Sequence, residues 1–300
     1  MNLFGAKKPD VATMVFETTD LRFLVMRSGN VHVFGSRSLP NGLVVDGLVT
    51  DAVAMGEIIA EVILENGLDR EHVITAMSGL RTIPRLLTMP NLQAAMLREA
   101  ISREARKEMP ISLEDLYLSW QAAPIDKERQ RIYLLGVPRE MVDAQVHALQ
   151  AADVRPWIMD LKPLALIRAV HGAGGAEQAI LVNLERDALD IILVVDFWPA
   201  IMRAFALDKN GLDDQGRLDR LVHELLQTVR FYNDAHRSAP IEAGTPVYVS
   251  GRELGKAEHV AHLRNVIDRR VDVPPSPLPA PVNLPVADYM TNLGLAMKKV

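Results

Sequence analysis

The chain has 300 residues, of which 49% are apolar and 24% charged, and its formal net charge is −5. This is enough apolar sequence for one large two-lobed domain or two ordinary ones. A negative net charge predicts no nucleic-acid partner. The absence of cysteine excludes disulfides, thiolate zinc sites and cysteine nucleophiles. No membrane span is expected, because Asp196, Pro199 and Arg203 interrupt the most apolar long stretch, Ile191–Leu207.

A pattern of strand, tight turn, strand, turn and strand occurs twice. The first copy runs through Thr13–Val25, with a polar break inside it, and then through Val31–Ser36. The second copy consists of Ala179–Leu184, Leu189–Val195 and Ala200–Leu207. Helical patterns follow both copies. The sequence therefore predicts a duplicated α/β core with a cleft between its halves.

The other predicted elements define an inserted unit. Five helices are predicted: Asp51–Asn66 with Asp51 as its N-cap, a helix capped by Asn91 and ended by Pro110, a helix that begins at Pro138, Arg217–Ala235, and Val286–Lys298. The further predicted strands are Val73–Met77, Ile83–Met89, Asp115–Ala122, Arg131–Val137, Trp157–Leu161 and Val247–Ser250. The proline-rich segment Val273–Pro285 is predicted to be extended. We therefore predict a first lobe from residues 1–72 and 151–171, a small α/β subdomain over 73–150, and a second lobe over 172–300.

The first turn of each copy is the place where a nucleotide-binding relative would hold phosphate. Such turns need glycine, so that backbone N–H groups can approach a phosphate oxygen, and a preceding carboxylate that holds Mg²⁺ through water. Here the first turn is Glu17-Thr18-Thr19-Asp20 and the second is Glu185-Arg186-Asp187, with Asn183 ahead of it. Neither turn has a glycine. Ordinary polar hairpin turns are the favoured interpretation.

Two further motifs are weaker. Ser250-Gly251-Arg252 follows a predicted strand and forms a corner where adenosine could bind, but a plain turn is the favoured interpretation of a single glycine. His259 and His262 are three residues apart, but no third ligand stands near them in sequence. They are predicted to lie on a solvated helix face, and no metal site is expected.

Several stretches, in their order and spacing, resemble one known family. They are Leu39–Gly47, Arg81–Pro90 followed by the charged stretch Arg98–Glu108 and Pro110, Gly136–Asp143, Leu149–Ala169 and Asn292–Ala296. Together they resemble the type IV pilus assembly protein PilM family, which is similar to FtsA and actin. The resemblance implies a duplicated actin-like (ribonuclease H-like) two-lobed fold with an inserted subdomain. It also implies a cytoplasmic ATP-binding platform whose partner is the N-terminal tail of a PilN-like inner-membrane protein, gripped between the main lobe and the subdomain.

The chain departs from that family where nucleotide should bind. Members carry Asp-Ile-Gly turns in both lobes, and the matching positions here are Val15–Asp20 and Asn183–Glu185; the Gly-Gly pair of the adenosine corner is Gly251-Arg252. The segment after Leu207 is short, which predicts a trimmed second lobe. The expected result is a degenerate cleft with no catalytic residue and no cofactor, in which ATP with Mg²⁺ binds weakly at best. Its residues are Glu17, Thr18, Thr19, Asn183, Glu185, Ser250 and Gly251.

Three functions compete at this point. The favoured one is an adaptor of a type IV pilus or type II secretion-like machine, placed at the cytoplasmic face of the inner membrane and contacting the PilN-like tail and pilus motor components. Its partner-binding residues are unknown from sequence. The second is an active actin-like ATPase or sugar-kinase relative that uses Thr18, Thr19 and Asp187. The third is an FtsA-like cell-division anchor, for which Ala287–Lys298 is short and weakly amphipathic.

Overall fold

The structure, a computed structural model, describes residues 10–207 and 212–299. Residues 1–9 of the predicted first lobe lie outside it. The strands are β1 (Val11–Phe16), β2 (Asp20–Arg27), β3 (Asn30–Ser38), β4 (Val44–Val45), β5 (Leu48–Val49), β6 (Val73–Met77), β7 (Ile83–Pro90), β8 (Leu116–Pro124), β9 (Arg129–Pro138), β10 (Pro156–Leu161), β11 (Ala179–Leu184), β12 (Ala188–Val195), β13 (Trp198–Ala206), β14 (Val247–Ser250) and β15 (Val271–Asp272). The helices are α1 (Ala52–Asn66), α2 (Ala94–Glu108), α3 (Arg139–Ala151), α4 (Lys162–Gly172), α5 (Asp214–Ala235), α6 (Ala257–Val266) and α7 (Val286–Ala296).

Two five-stranded sheets repeat one topology. The first has the order β10-β6-β1-β2-β3 and the second β13-β12-β11-β14-β15. In each, three consecutive antiparallel strands are extended by strands that pair in parallel with the first of the three or with each other. The predicted duplicated α/β core is confirmed. The strands could be predicted because short apolar runs bounded by polar turns are the pattern that strands buried on both faces produce.

The inserted unit is smaller than predicted. Its three-stranded antiparallel sheet has the order β7-β9-β8, and α2 packs on one face through Ile101 and Ala105. The predicted range 73–150 is too wide at both ends. Strand β6 pairs with β1 and β10 inside the first sheet, because its five buried residues suit a central strand. Helix α3 packs against α1 in the core of the first lobe. The separate unit spans residues 83–138.

The predicted boundary of the second lobe is also wrong at its C-terminal end, because helix α7 does not belong to the second lobe alone. It contacts α4 and the first-lobe strands β1, β2 and β6 as well as β14, so the predicted second lobe 172–300 is too inclusive. The side-chain amide of Asn292 donates to the Thr13 carbonyl and hydroxyl oxygens and to the Arg22 carbonyl oxygen. The segment 273–285 is free of helix and strand, as predicted, and the Val31 amide donates to the Pro279 carbonyl at 2.9 Å.

Helix ends show one confirmed and one wrong prediction. Asp51 caps α1 by accepting from the amides of Val53 and Ala54, both at 3.0 Å, and Gly67 ends the helix in the left-handed region at φ 60°. Asn91 does not cap α2. Its side-chain amide nitrogen instead donates to the carbonyls of Asp126 and Lys127 and closes the tip of the inserted unit. Gln93 precedes α2 and makes no capping hydrogen bond with its side chain.

Across residues 10–207 and 212–299, none of the helices has the length and apolar character needed to cross a membrane.

The tight contact between α4 and α7 generates a stability prediction. A Cβ at Gly294 would lie 1.9 Å from the Ala165 carbonyl oxygen. Gly294→Ala must therefore push α7 away from α4, and we expect a loss of about 1–3 kcal/mol in the free energy of unfolding, measured by urea denaturation. Gly244→Ala is the matched control, because a Cβ there meets nothing within 4 Å. Equal stability of both variants would contradict this packing.

Candidate functional site

The two turns face each other where the lobes meet, and buried ion pairs lie between them. Lys162, at the start of α4, is 3% exposed. Its ammonium lies 2.8 Å from Oε1 of Glu17 in the first turn and 3.6 Å from Oδ2 of Asp190 on β12. One cation therefore joins a carboxylate of each lobe. Separating the lobes would leave these buried charges unpaired, which costs free energy in a low-dielectric interior.

A second group, centred on Arg22 of β2, crosses the same boundary. Its Nη1 and Nη2 donate to Oε1 and Oε2 of Glu185 at 2.9 and 2.6 Å, which is the bidentate geometry that arginine and carboxylate prefer. Its Nε donates to Asp20 at 2.9 Å, and Nη1 also donates to the Asp288 carbonyl. Arg252 of the second lobe donates to the same Asp20 carboxylate at 3.0 Å. Arg22 is 2% exposed and Glu185 4%.

The protonation of this network follows from burial and from the balance of charge. Burial raises the pKa of Glu17 to about 7, and the Lys162 ammonium offsets only part of that effect. Burial also raises the pKa of Asp190. Burial alone would raise the pKa of Glu185, but the Arg22 guanidinium outweighs it and lowers that pKa below the usual value. Burial would likewise lower the pKa of Lys162, but Glu17 and Asp190 raise it.

The remaining predicted residues of the second lobe are held by structural contacts. Ser250 donates to Asn183 Oδ1 at 3.0 Å, and Asn183 Nδ2 lies 3.4 Å from Asp190 Oδ2. Gly251 has φ 94°, and a Cβ there would lie 2.4 Å from the Leu184 carbonyl oxygen. Glycine is therefore required at this corner because two backbone segments pass closely. The predicted strand-turn-helix corner is present.

The cleft outside the ion pairs is open. A groove of about 500 Å³ is lined by Thr18, Thr19, Asn41, Gly42, Val44, Val45, Arg186, Asp187, Leu212 and Arg217. Thr18 and Thr19 thus reach the groove, and Glu185 lines an adjoining cavity of about 370 Å³ together with Thr19. Glu17, Asn183, Ser250 and Gly251 line neither. The residues of the turns do not fit a Mg²⁺-triphosphate. The carboxylates of Glu17, Asp20 and Glu185 are paired with internal cations, Asp187 adds a further acid to the groove, and glycine is missing from both turns.

Four further residues that form the ion pairs of the site were not predicted from the sequence. They are Arg22, Lys162, Asp190 and Arg252. A signal existed for two of them, because Arg22 and Asp190 are charged residues inside otherwise apolar strands. Such residues are rarely fully buried unless paired. Nothing local in the sequence marks Lys162 or Arg252, since their partners lie in distant segments.

His259 also differs from its prediction. It is 7% exposed and not on a solvated face, because α6 turns it toward the 3₁₀ turn Glu253–Gly255 and the start of α5. His262 is half-buried and lies 3.5 Å from Gln215.

The repeated sheet topology, the cleft between the sheets and the inserted unit together define a two-lobed protein of the actin-like class. The model of one family, described as type IV pilus assembly protein PilM, matches residues 25–197. The chain belongs to this family.

Solved structures agree on the fold. One, a PilM–PilN type IV pilus biogenesis complex, superposes with a TM-score of 0.77 at 18% identity, covering 97% of this chain and 98% of that chain. The ethanolamine utilization protein EutJ from Carboxydothermus hydrogenoformans gives 0.55 at 14% identity, over 96% and 89% of the two chains. The cytoplasmic domain of EpsL, an inner-membrane component of the type II secretion system of Vibrio cholerae, gives 0.53 at 12% identity, over 97% of each. No curated protein matches the sequence.

The raised pKa of Glu17 predicts a pH dependence of stability. Between its unfolded value of 4.5 and about 7, the folded state binds more protons than the unfolded state, so the Glu17 contribution is present below pH 4.5 and is lost as the pH rises through 7. Glu17→Gln removes this term. We expect the difference in unfolding free energy between wild type and Glu17→Gln to fall by about 1–3 kcal/mol from pH 5 to pH 8.

Urea denaturation at both pH values measures this difference. Glu57→Gln on the exposed side of α1 is the control, and its difference from wild type should stay constant. A Glu17→Gln difference that is constant or grows with pH would show that Glu17 is charged throughout.

Proposed function

We propose that this protein is a nucleotide-independent adaptor of a type IV pilus machine. It acts at the cytoplasmic face of the inner membrane, where it binds the N-terminal tail of a PilN-like protein. Membership of the PilM family supports the role in pilus assembly, and the likeness to a PilM–PilN complex supports the partner. Contacts with pilus motor components, or with a related type II secretion-like machine, fit the same role.

The observation that carries the proposal is the paired charge between the lobes. In an active member of the actin-like class, nucleotide and metal supply the charge that draws the two turns together. Here Lys162 and Arg22 supply cations, Glu185 supplies an anion, and Glu17 supplies a second one above its pKa of about 7. A triphosphate placed there would be repelled by buried carboxylates, and a Mg²⁺ bound to one of them would displace the internal cation already paired with it.

The inserted unit offers a place for an extended peptide. Its edge strand β7 carries Pro84 and Pro90, which have no N–H to donate and so weaken strand addition. The other edge, β8, has no proline before its last residue, and Ser119–Ala122 are four consecutive exposed residues. A peptide that adds a strand to β8 gains main-chain hydrogen bonds, and side chains on alternate faces give specificity.

The β8 edge also lies beside the first lobe. The Tyr117 hydroxyl donates to Asp143 of α3 at 3.0 Å, and the Arg139 guanidinium lies over the Tyr117 ring at 4.2 Å from its centroid. On the opposite face of β8, Leu118 packs on the α2 core and Trp120, two residues on, is 39% exposed. An added strand would therefore have an aromatic contact on one face and the groove toward α3 on the other.

The alternatives are less well supported. An active ATPase would have to hold nucleotide with Thr18, Thr19 and Asp187, and the neighbouring carboxylates would repel its phosphates. An FtsA-like anchor would need a free amphipathic helix, but α7 is buried over most of its length between α4 and the two sheets.

The first prediction from this proposal concerns nucleotide. Calorimetric titration of the full chain with Mg-ATP should show no dissociation constant below about 10 μM, which corresponds to roughly 7 kcal/mol. Turnover should equal that of the buffer blank. Tight binding would support the active-ATPase alternative.

The second prediction concerns the peptide. A fluorescent peptide with the sequence of the PilN-like tail should bind the full chain, and Trp120→Ala should weaken binding by at least about tenfold, since exposed tryptophans at the centre of interfaces often carry this much. The readout is fluorescence anisotropy. Trp157→Ala on β10 is the matched control, because Trp157 is 37% exposed but lies outside the inserted unit.

The same peptide with N-methyl groups on alternate residues separates strand addition from side-chain docking. Methylation on one of the two alternating sets should abolish binding, because that set would face β8. Loss of binding in Trp157→Ala but not in Trp120→Ala would place the partner elsewhere.

A further inference from the structure

Three potential metal ligands meet in the second lobe, where one of them, Glu253, lines a cavity of the cleft. They are Asp214 at the start of α5, Glu253 in the 3₁₀ turn after β14, and His259 in α6. One ligand atom of each lies within 4.8 Å of the others. Glu253 and His259 are each 7% exposed, so the cluster is mainly buried with one open side at Asp214.

The orientation of His259 points to a ligand. Its Nδ1 lies 2.7 Å from the backbone carbonyl of Glu253, and a carbonyl can only accept, so Nδ1 carries the proton in the neutral ring. Nε2 then presents a lone pair toward the Asp214 carboxylate, 3.5 Å away. Two acceptors facing each other need a proton or a metal ion between them. A histidine whose other nitrogen donates to a carbonyl is the usual arrangement of a zinc ligand.

The spacing between His259 and Asp214 also suits zinc, whereas Glu253 Oε2 lies 4.0 Å from Nδ1 and has to rotate to reach the Nε2 side. Ligand atoms bound at 2.0–2.1 Å around a tetrahedral Zn²⁺ lie about 3.3 Å apart, close to the 3.5 Å between His259 Nε2 and Asp214 Oδ2. One imidazole and two carboxylates form a mixed N/O set. Zn²⁺ is favoured over Mn²⁺ at such a set by the general order of divalent affinities.

Lys256 is the competitor for this site. Its ammonium lies 2.6 Å from Glu253 and 3.2 Å from Asp214, and Asp214 also pairs with Arg217. Lys256 is half-buried at 37% side-chain exposure, and its flexible stem can carry the charge into solvent. A divalent ion would therefore bind in exchange for the Lys256 ammonium.

We propose that Asp214, Glu253 and His259 form a Zn²⁺ site that joins α5, the corner after β14 and α6. It is independent of the proposed pilus function. It would tie the start of α5 to the Gly251 corner and so stiffen one wall of the open groove.

Isothermal titration of the untagged full chain with Zn²⁺ tests the proposal. We expect one ion per chain, at least about tenfold weaker binding in His259→Gln and in Asp214→Asn, and tighter binding in Lys256→Met because the competing ammonium is gone. His262→Gln, one turn further along α6, should bind like wild type. Mn²⁺ should bind more weakly throughout.

Asp214→Asn changes a side chain that is 52% exposed, so it keeps the test valid if His259→Gln does not fold. The spectrum of bound Co²⁺ should also change in His259→Gln and not in His262→Gln. Failure of both wild type and Lys256→Met to bind Zn²⁺ would overturn the proposal. So would Zn²⁺ binding that is unaffected in both Asp214→Asn and His259→Gln.

Discussion

The bidentate pair between Arg22 and Glu185 is the constraint on which the arrangement of the lobes depends. Both side chains are almost fully buried, and each comes from a different lobe. A buried charge without its partner costs several kcal/mol, so the lobes cannot separate without a large loss of stability. Lys162 forms a second buried contact between the lobes with Glu17 and Asp190. Helix α7 contacts both sheets, and its Asp288 carbonyl accepts from Arg22.

This constraint changes what the cleft can do. An actin-like cleft opens and closes around a nucleotide because the ligand supplies the charge between the turns. With protein side chains in that role, we propose that closure needs no ligand and that the two lobes form a fixed support. The inserted unit also rests on the second lobe, through the Arg131 contact with Asp196 at 3.6 Å and the Tyr133 hydroxyl contact with Met202 at 3.1 Å. A fixed support of this kind suits an adaptor that presents the edge of the inserted unit.

Much of the fold could be predicted from the sequence, because short apolar runs and turn residues are local signals. Asp51 and Gly67 marked the ends of α1 correctly for the same reason. The boundaries of the inserted unit were wrong because strand membership is not local: β6 looks like any short apolar strand, and only its pairing with β1 and β10 places it in the first sheet. Only part of the site could be predicted from the sequence. The turns could be located, whereas the Lys162 pairing joins residues 145 positions apart.

The most direct test of a nucleotide-independent closure is a double-mutant cycle on Arg22 and Glu185, measured by urea unfolding without nucleotide. Arg22→Met and Glu185→Leu should each cost about 3–5 kcal/mol, because each leaves a buried charge unpaired. The double variant should cost much less than their sum, because both charges are gone. Additive losses, or single losses below about 1 kcal/mol of the kind seen for surface pairs, would show that this pair does not hold the lobes together.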